Sequence, residues 1–107
     1  MSDWFEKWHS WRKEQSRYPG QGTFAGIVYC ALGLGEAGEL IGEVKKAWRD
    51  DRGSISDERT EKIILELGDV LWYVDAMCEE LNVSLEEVAT ANRKKIEARK
   101  AHERSIG

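Results

Sequence analysis

Proline is almost missing from this sequence: Pro19 is the single one in 107 residues. A chain so poor in the residue that breaks helices, and 34% charged, suits a soluble helix-rich domain. No stretch alternates apolar and polar residues with period two, so no sheet is expected. There is no internal repeat and no low-complexity segment. The uncharged stretch from Gly20 to Gly35 starts polar and carries several glycines, which makes it too short and too mixed to span a membrane. Met1-Ser2-Asp3-Trp4 has neither the basic nor the apolar region of a signal peptide. Basic residues are in deficit: 16 Lys and Arg face 20 Asp and Glu, for a net charge of −4. That balance argues against a general binder of nucleic acid polymers. Cysteine is scarce as well. Cys30 and Cys78 each fall mid-helix among apolar residues and read as two reduced core thiols of a cytoplasmic protein. No Cys/His cluster is present to hold structural zinc.

What is there reads as one domain over residues 1–107, with four helices. The first runs from about Asp3 to Gln15. Trp4, Trp8 and Trp11 recur on it at steps of four and three, one aromatic face suited to a core or subunit interface, or to stacking a base. Tyr18-Pro19-Gly20-Gln21-Gly22 is a clear break. A second helix is expected from about Phe24 to Trp48. Each interior glycine costs it about 1 kcal/mol against Ala, and Gly35, Gly38 and Gly42, spaced three and four, suggest close helix–helix approach. Asp50 to Ser54 is a polar linker. The third helix runs from about Asp57 to Leu81, with a bundle-type seam at Ile63, Leu67, Val70, Val74, Met77 and Leu81. Asn82-Val83 closes it. Ser84 and Glu87 form a capping box for a fourth helix, which runs to about His102. Short connections then give an all-α, antiparallel, up-and-down four-helix bundle.

Two acidic pairs interrupt the apolar helical runs: Glu36-Ala37-Gly38-Glu39 and Glu66-Leu67-Gly68-Asp69. Helical residues three apart share a face, so each pair aims two carboxylates the same way. Leu32, Leu40 and Ala47 border the first, and Ile63, Val70 and Val74 border the second, all expected in the core. Singly, either pair reads as a solvated face. Together, four carboxylates between packed helices repel one another unless a cation sits among them. Oxygen donors without imidazole or thiolate favour Mg²⁺, with Mn²⁺ as a substitute. A di-iron carboxylate site would need two E-x-x-H motifs, and only Glu6 to His9 supplies one. Mg²⁺ held by a few carboxylates finishes its shell with water and substrate phosphates, so a phosphoanhydride is the natural substrate class.

At these residues the chain resembles the MazG-like family of all-α nucleoside triphosphate pyrophosphohydrolases. The resemblance lies in Leu32-Gly33-Leu34-Gly35-Glu36-Ala37-Gly38-Glu39-Leu40 and Glu66-Leu67-Gly68-Asp69-Val70-Leu71-Trp72-Tyr73. It continues through Leu81 to Val88 and Asn92-Arg93-Lys94-Lys95-Ile96-Glu97-Ala98-Arg99, covering roughly Tyr29 to Arg99. It implies hydrolysis of an NTP or dNTP to the monophosphate and pyrophosphate, as in cleansing of the nucleotide pool. It implies Mg²⁺ ligands at Glu36, Glu39, Glu66 and Asp69, which would also be the catalytic set, and a homodimer or homotetramer.

Outside the acidic pairs, Asn92 sits on the apolar row of the last helix between Val88 and Ile96. It reads as a satisfied core or interface amide, or as a hydrogen-bonding partner of the nucleotide, which the family pattern favours. Lys95 and Arg99 follow on the same side and could meet phosphates or form surface ion pairs. Lys46 could touch a phosphate near the acidic ridge, or pair with Glu43 three residues before it. A non-catalytic helical module that senses nucleotide or binds a partner protein is the competing reading; it predicts no metal-dependent turnover.

Overall fold

The computed structural model describes residues 3–36, 38–50, 52 and 54–106, with the side chains of residues 38–41 and 106 outside that description. Among the described residues the chain is all-helical and no strand forms. Five helices follow one another: α1 (Asp3–Gln15), α2 (Phe24–Gly35), α3 (Gly38–Asp50), α4 (Asp57–Glu80) and α5 (Leu85–Ile106). Three of the four expected helices match α1, α4 and α5 to within a few residues at each end. The exception is the long second helix, which divides in two. Glu36 is the C-cap of α2, with φ −66° and ψ −15°, and Glu39 belongs to α3. Glycines at 33, 35 and 38 surround the break, in a segment with little helix propensity to carry a continuous rod. Glu36 and Glu39 are therefore not two residues of one helix face.

The turns follow from local chemistry. Gly20 and Gly22 hold φ of 74° and 86° in the break before α2. A side chain at Gly20 would in addition drive a Cβ to 2.4 Å from that of Ala25. Ser56 caps α4, its Oγ accepting from the Arg59 amide at 3.1 Å. At the other end Asn82 takes φ 56°, while the Val83 amide donates to the Cys78 carbonyl at 2.9 Å and the Asn82 amide to that of Glu79 at 3.1 Å. This is a Schellman ending. The capping box forms as expected: Ser84 Oγ accepts from the Glu87 amide at 3.0 Å, and the Glu87 carboxylate accepts from the Ser84 amide at 2.9 Å.

α4 is the hub and contacts each of the other four helices. The innermost cluster is small: Tyr18, Cys30 and Ala76, with Trp72 and Met77 packed against it. Cys30 and Cys78 are both buried free thiols, and burial pushes each up from the ordinary thiol range. α1 is fastened to α4 by a buried ionic network. The Arg12 side chain is 0% exposed and Asp75 is 2% exposed. Arg12 Nε donates to Asp75 Oδ2, Nη1 to Ser16 Oγ at 2.7 Å and Nη2 to Glu79 Oε1 at 3.3 Å. His9 Nδ1 donates to the same Asp75 oxygen at 2.7 Å. The guanidinium also lies over the Trp72 ring, 5.6 Å from its centroid.

Several residues expected in the core are on the surface. Trp4 and Trp11 are exposed, and Phe5 with Arg12 forms the inward side of α1 instead. Trp48, Leu32, Leu67 and Leu81 are also exposed. The glycine stripe does not mark a helix contact: a Cβ at Gly35 or Gly42 meets nothing within 4 Å, and the structure of Gly38's surroundings lies outside the described side chains. The close approach is at Gly33. The radius of gyration is 17.3 Å, against about 13 Å for a compact domain of this length. Among the described residues no helix is long and apolar enough to cross a membrane.

Candidate functional site

Helical periodicity builds the site from two faces. On α2, Tyr29, Gly33 and Glu36 recur at steps of four and three. On α4, Glu66, Asp69, Val70 and Tyr73 do the same. The faces meet across a cavity of about 340 Å³, into which Glu36, Glu66 and Asp69 all open. Contact between the helices depends on Gly33. A Cβ there would come 2.3 Å from the Tyr73 ring, so only glycine lets that ring lie against α2.

One wall is aromatic. Tyr18 stacks on Tyr29 with centroids 5.1 Å apart and planes 8° from parallel. Tyr29 meets Tyr73 at 6.3 Å, and Trp72 stands edge-on to Tyr18 at 6.3 Å. Tyr18 is fixed from behind. Its hydroxyl donates to Glu80 Oε1 at 2.5 Å, and the same carboxylate accepts from the Gly22 amide at 3.0 and 3.1 Å. Burial, reinforced by that bond to Glu80, raises the Tyr18 phenol far above its ordinary value. Burial likewise raises the Tyr73 phenol. Both rings are therefore neutral at physiological pH. Gln15 and Arg17, from the end of α1 and the segment after it, complete the lining.

Three of the four expected carboxylates thus share one cavity. Glu66 is half-buried, while Glu36 and Asp69 are exposed at the rim. The side chain of Glu39 lies outside the described residues. The other sequence candidates lie elsewhere. Asn92, Lys95 and Arg99 are exposed on α5 and none lines the cavity. Lys46 sits 3.6 Å from Glu43, the simple pairing within its own helix, and Arg59 Nη1 joins the same Glu43 at 3.0 Å. Tyr18, Tyr29, Arg17 and Gln15 were not anticipated. Tyr73 could have been, since it stands one helical turn beyond Asp69 and two beyond Glu66. The loop that brings Tyr18 and Arg17 in has no periodicity to read.

The donor set is all carboxylate, with no thiol or imidazole lining the cavity. That chemistry suits a hard divalent cation rather than zinc or iron. Among the described residues no three His, Cys, Asp or Glu side chains are gathered closely enough to cage a metal alone.

Comparison with known proteins gives a consistent picture. The chain is 42% identical to the Gene 37 protein of Mycobacterium phage L5 over 87 residues, 78% of this chain and 76% of that protein. It is 28% identical to the uncharacterized protein YvdC of Bacillus subtilis over 97 residues, 86% of this chain and 92% of that protein. Neither name states an activity. No solved structure matches. The model of the MazG nucleotide pyrophosphohydrolase domain matches residues 28–103, a stretch that contains both acidic pairs and the α2 and α4 faces of the cavity. The chain belongs to the MazG nucleotide pyrophosphohydrolase domain family.

Proposed function

We propose that this protein is a Mg²⁺-dependent nucleoside triphosphate pyrophosphohydrolase, releasing pyrophosphate and a nucleoside monophosphate from an NTP or dNTP in the cytoplasm. The observation that carries the reading is the convergence of Glu36, Glu66 and Asp69, from two helices, on one cavity with an aromatic wall. Phosphate chemistry and base stacking need those two surfaces side by side.

Glu36, Glu66 and Asp69 would hold the cation, with Glu39 as the fourth ligand implied by the family. When bound, Mg²⁺ supplies a water of lowered pKa and neutralises phosphate oxygens. The remaining work falls to the chain. The base lies against Tyr18, Tyr29 and Tyr73, whose neutral rings offer stacking without charge. Glu80 keeps the Tyr18 ring from turning, so the stacking surface is set before substrate arrives. The Arg17 guanidinium at the cavity edge pairs with phosphate oxygens. Water attacks the α-phosphorus, its proton passes to a cavity carboxylate, and the bond from the α-phosphorus to the bridging oxygen breaks. Pyrophosphate leaves with that oxygen.

Pyrophosphate release from a panel of NTPs and dNTPs, with Mg²⁺ and with EDTA, tests the reading. Metal-dependent release that Glu66→Gln abolishes supports it. Nucleotide binding by calorimetry without turnover would favour the sensing module instead.

A further inference from the structure

Two consecutive carboxylates at the end of α4 hold the connection between α1 and α2. Glu79 faces α1, with one oxygen 3.3 Å from Arg12 Nη2 and the other 3.4 Å from Lys13 Nζ. Glu80 faces the start of α2. Its Oε1 accepts from the Tyr18 hydroxyl at 2.5 Å, and both its oxygens accept from the Gly22 amide at 3.0 and 3.1 Å. Between these anchors run residues 16–23, the strap that brings Arg17 and Tyr18 to the cavity. Glu80 itself lines no part of that cavity. It stands about four turns from Glu66, roughly 20 Å along the helix axis.

Glu80 also gives α2 what its own sequence lacks. No acidic residue stands in the first turn of α2, and the Thr23 hydroxyl at its N-cap donates to the Gly20 carbonyl at 2.6 Å rather than capping an amide. A carboxylate near that end is favourable against the helix dipole, and here another helix supplies it. Gly26 makes the room: a Cβ there would come 2.8 Å from Glu80 Oε1 and 2.6 Å from the Gly20 carbonyl oxygen. The next close approach lies seven residues on along α2 and seven back along α4, where Gly33 meets the Tyr73 ring. Equal steps in opposite directions describe antiparallel helices in one fixed register. Continuing the same way leads to Glu36 on α2 and to Asp69 and Glu66 on α4. The contact at Glu80 is thus the far end of the ladder whose near end is the carboxylate cluster.

We propose that Glu80 is a positioning residue for the cavity: through its bonds to Tyr18 and Gly22 it fixes the strap over residues 16–23 and the register of α2 against α4, and touches no substrate. Its effect therefore reaches past the Tyr18 ring to Arg17 on the strap and Glu36 at the end of α2. Substrate that meets an ordered strap does not bear the cost of ordering it. The kinetic consequence rests on the hydrolase reading, while the hold on the strap does not depend on it.

Two measurements test it. The first is steady-state kinetics of Glu80→Ala, Glu80→Gln, Tyr18→Phe and Gly26→Ala with Mg²⁺ and the nucleotide that the wild type hydrolyses best. A strap ordered only about a tenth of the time raises KM about tenfold and leaves kcat within about threefold, which is the result expected for E80A. E80Q should recover most of the loss, because its amide oxygen can accept both bonds that Oε1 accepts. E80A should cost more than Y18F, which removes only the hydroxyl bond. G26A disturbs the same contact without removing the carboxylate and should raise KM as well, so the test survives if E80A does not fold. A folded E80A or G26A with wild-type KM, an E80A cost no larger than that of Y18F, or an E80Q as impaired as E80A overturns the proposal. The second is amide hydrogen exchange of Gly22 in nucleotide-free protein, expected to be at least about tenfold faster in E80A or G26A. Unchanged exchange overturns the proposal whether or not the protein hydrolyses nucleotides. Silence of the wild type with every nucleotide overturns the hydrolase reading and leaves the exchange result to decide the hold on the strap.

Discussion

Replacing Arg12 by Met removes the positive centre of the network that ties α1 to α4. The loss leaves Asp75, 2% exposed, without its guanidinium partner and strips Glu79 and Ser16 of donors. His9 remains bound to Asp75 but stands at the surface edge of the network. Breaking one side of a buried ion pair costs about 3–5 kcal/mol, because the remaining charge stays desolvated. That is about a fifth or more of the roughly 5–15 kcal/mol that holds a domain of this kind together. With an unfolding entropy of about 2.1 cal/mol/K per residue, the melting temperature should fall by roughly 15–20 °C. The double variant Arg12→Met, Asp75→Leu removes the stranded carboxylate and should recover at least about 2 kcal/mol of the loss. Thermal and urea unfolding followed by circular dichroism at 222 nm would measure both. A single variant within about 1 kcal/mol of wild type, or a double variant equal to the sum of its singles, would refute the claim that this pair carries the α1–α4 junction. Because Arg12 also underlies Trp72 and precedes Tyr18, partial loss should raise KM for nucleotide before it lowers kcat.

Other outcomes follow from the same geometry. Asp69→Asn and Glu66→Gln should each reduce turnover by about two to three orders of magnitude with an unchanged helical spectrum, since they remove a charge from a cavity rather than a packing group. Gly33→Val should push the Tyr73 ring out of its place against α2 and cost about 1–3 kcal/mol; an unchanged melting curve with normal nucleotide affinity would contradict the contact. The folded protein holds the phenols of Tyr18 and Tyr73 and the thiols of Cys30 and Cys78 above their ordinary values. A raised folded pKa stabilises below the unfolded value, so stability should be level through neutral pH and fall as pH climbs past about 9–10, the unfolded thiol and phenol range. Denaturant midpoints measured from pH 7 to 11 would show it. For the same reason a thiol reagent at pH 7 should titrate both cysteines only after unfolding, and rapid reaction of the native protein would count against their burial.

Much of this protein is written along the chain. The caps at Ser84 and Asn82, the break around Gly20 and the length of α4 follow from side-chain and backbone preferences that act over four or five residues. The α4 half of the site follows too, because Glu66, Asp69 and Tyr73 are joined by helical period alone. The acidic pairs themselves are visible in the sequence, and a set of oxygen donors without sulfur or imidazole is the chemical reason for proposing a hard cation there.

Tertiary structure decided the rest. That the stretch from Phe24 to Trp48 forms two helices is only partly local: glycines at 33, 35 and 38 weaken a continuous rod, and α4 packs against both α2 and α3 on either side of Glu36. That Gly33, rather than Gly35 or Gly42, is the point of close approach depends on where the Tyr73 ring falls. Leu32 and Trp48 look like core residues by their apolarity and are exposed, because periodicity says which side chains share a face and not whether another element covers it. The aromatic wall joins Tyr18, Tyr29 and Tyr73 from a loop and two helices, and Arg12 meets Asp75 across 63 residues. Contacts of that separation leave no mark on sequence spacing; they exist because α4 presents its whole length to the rest of the chain and each partner must satisfy charge and volume where it lands.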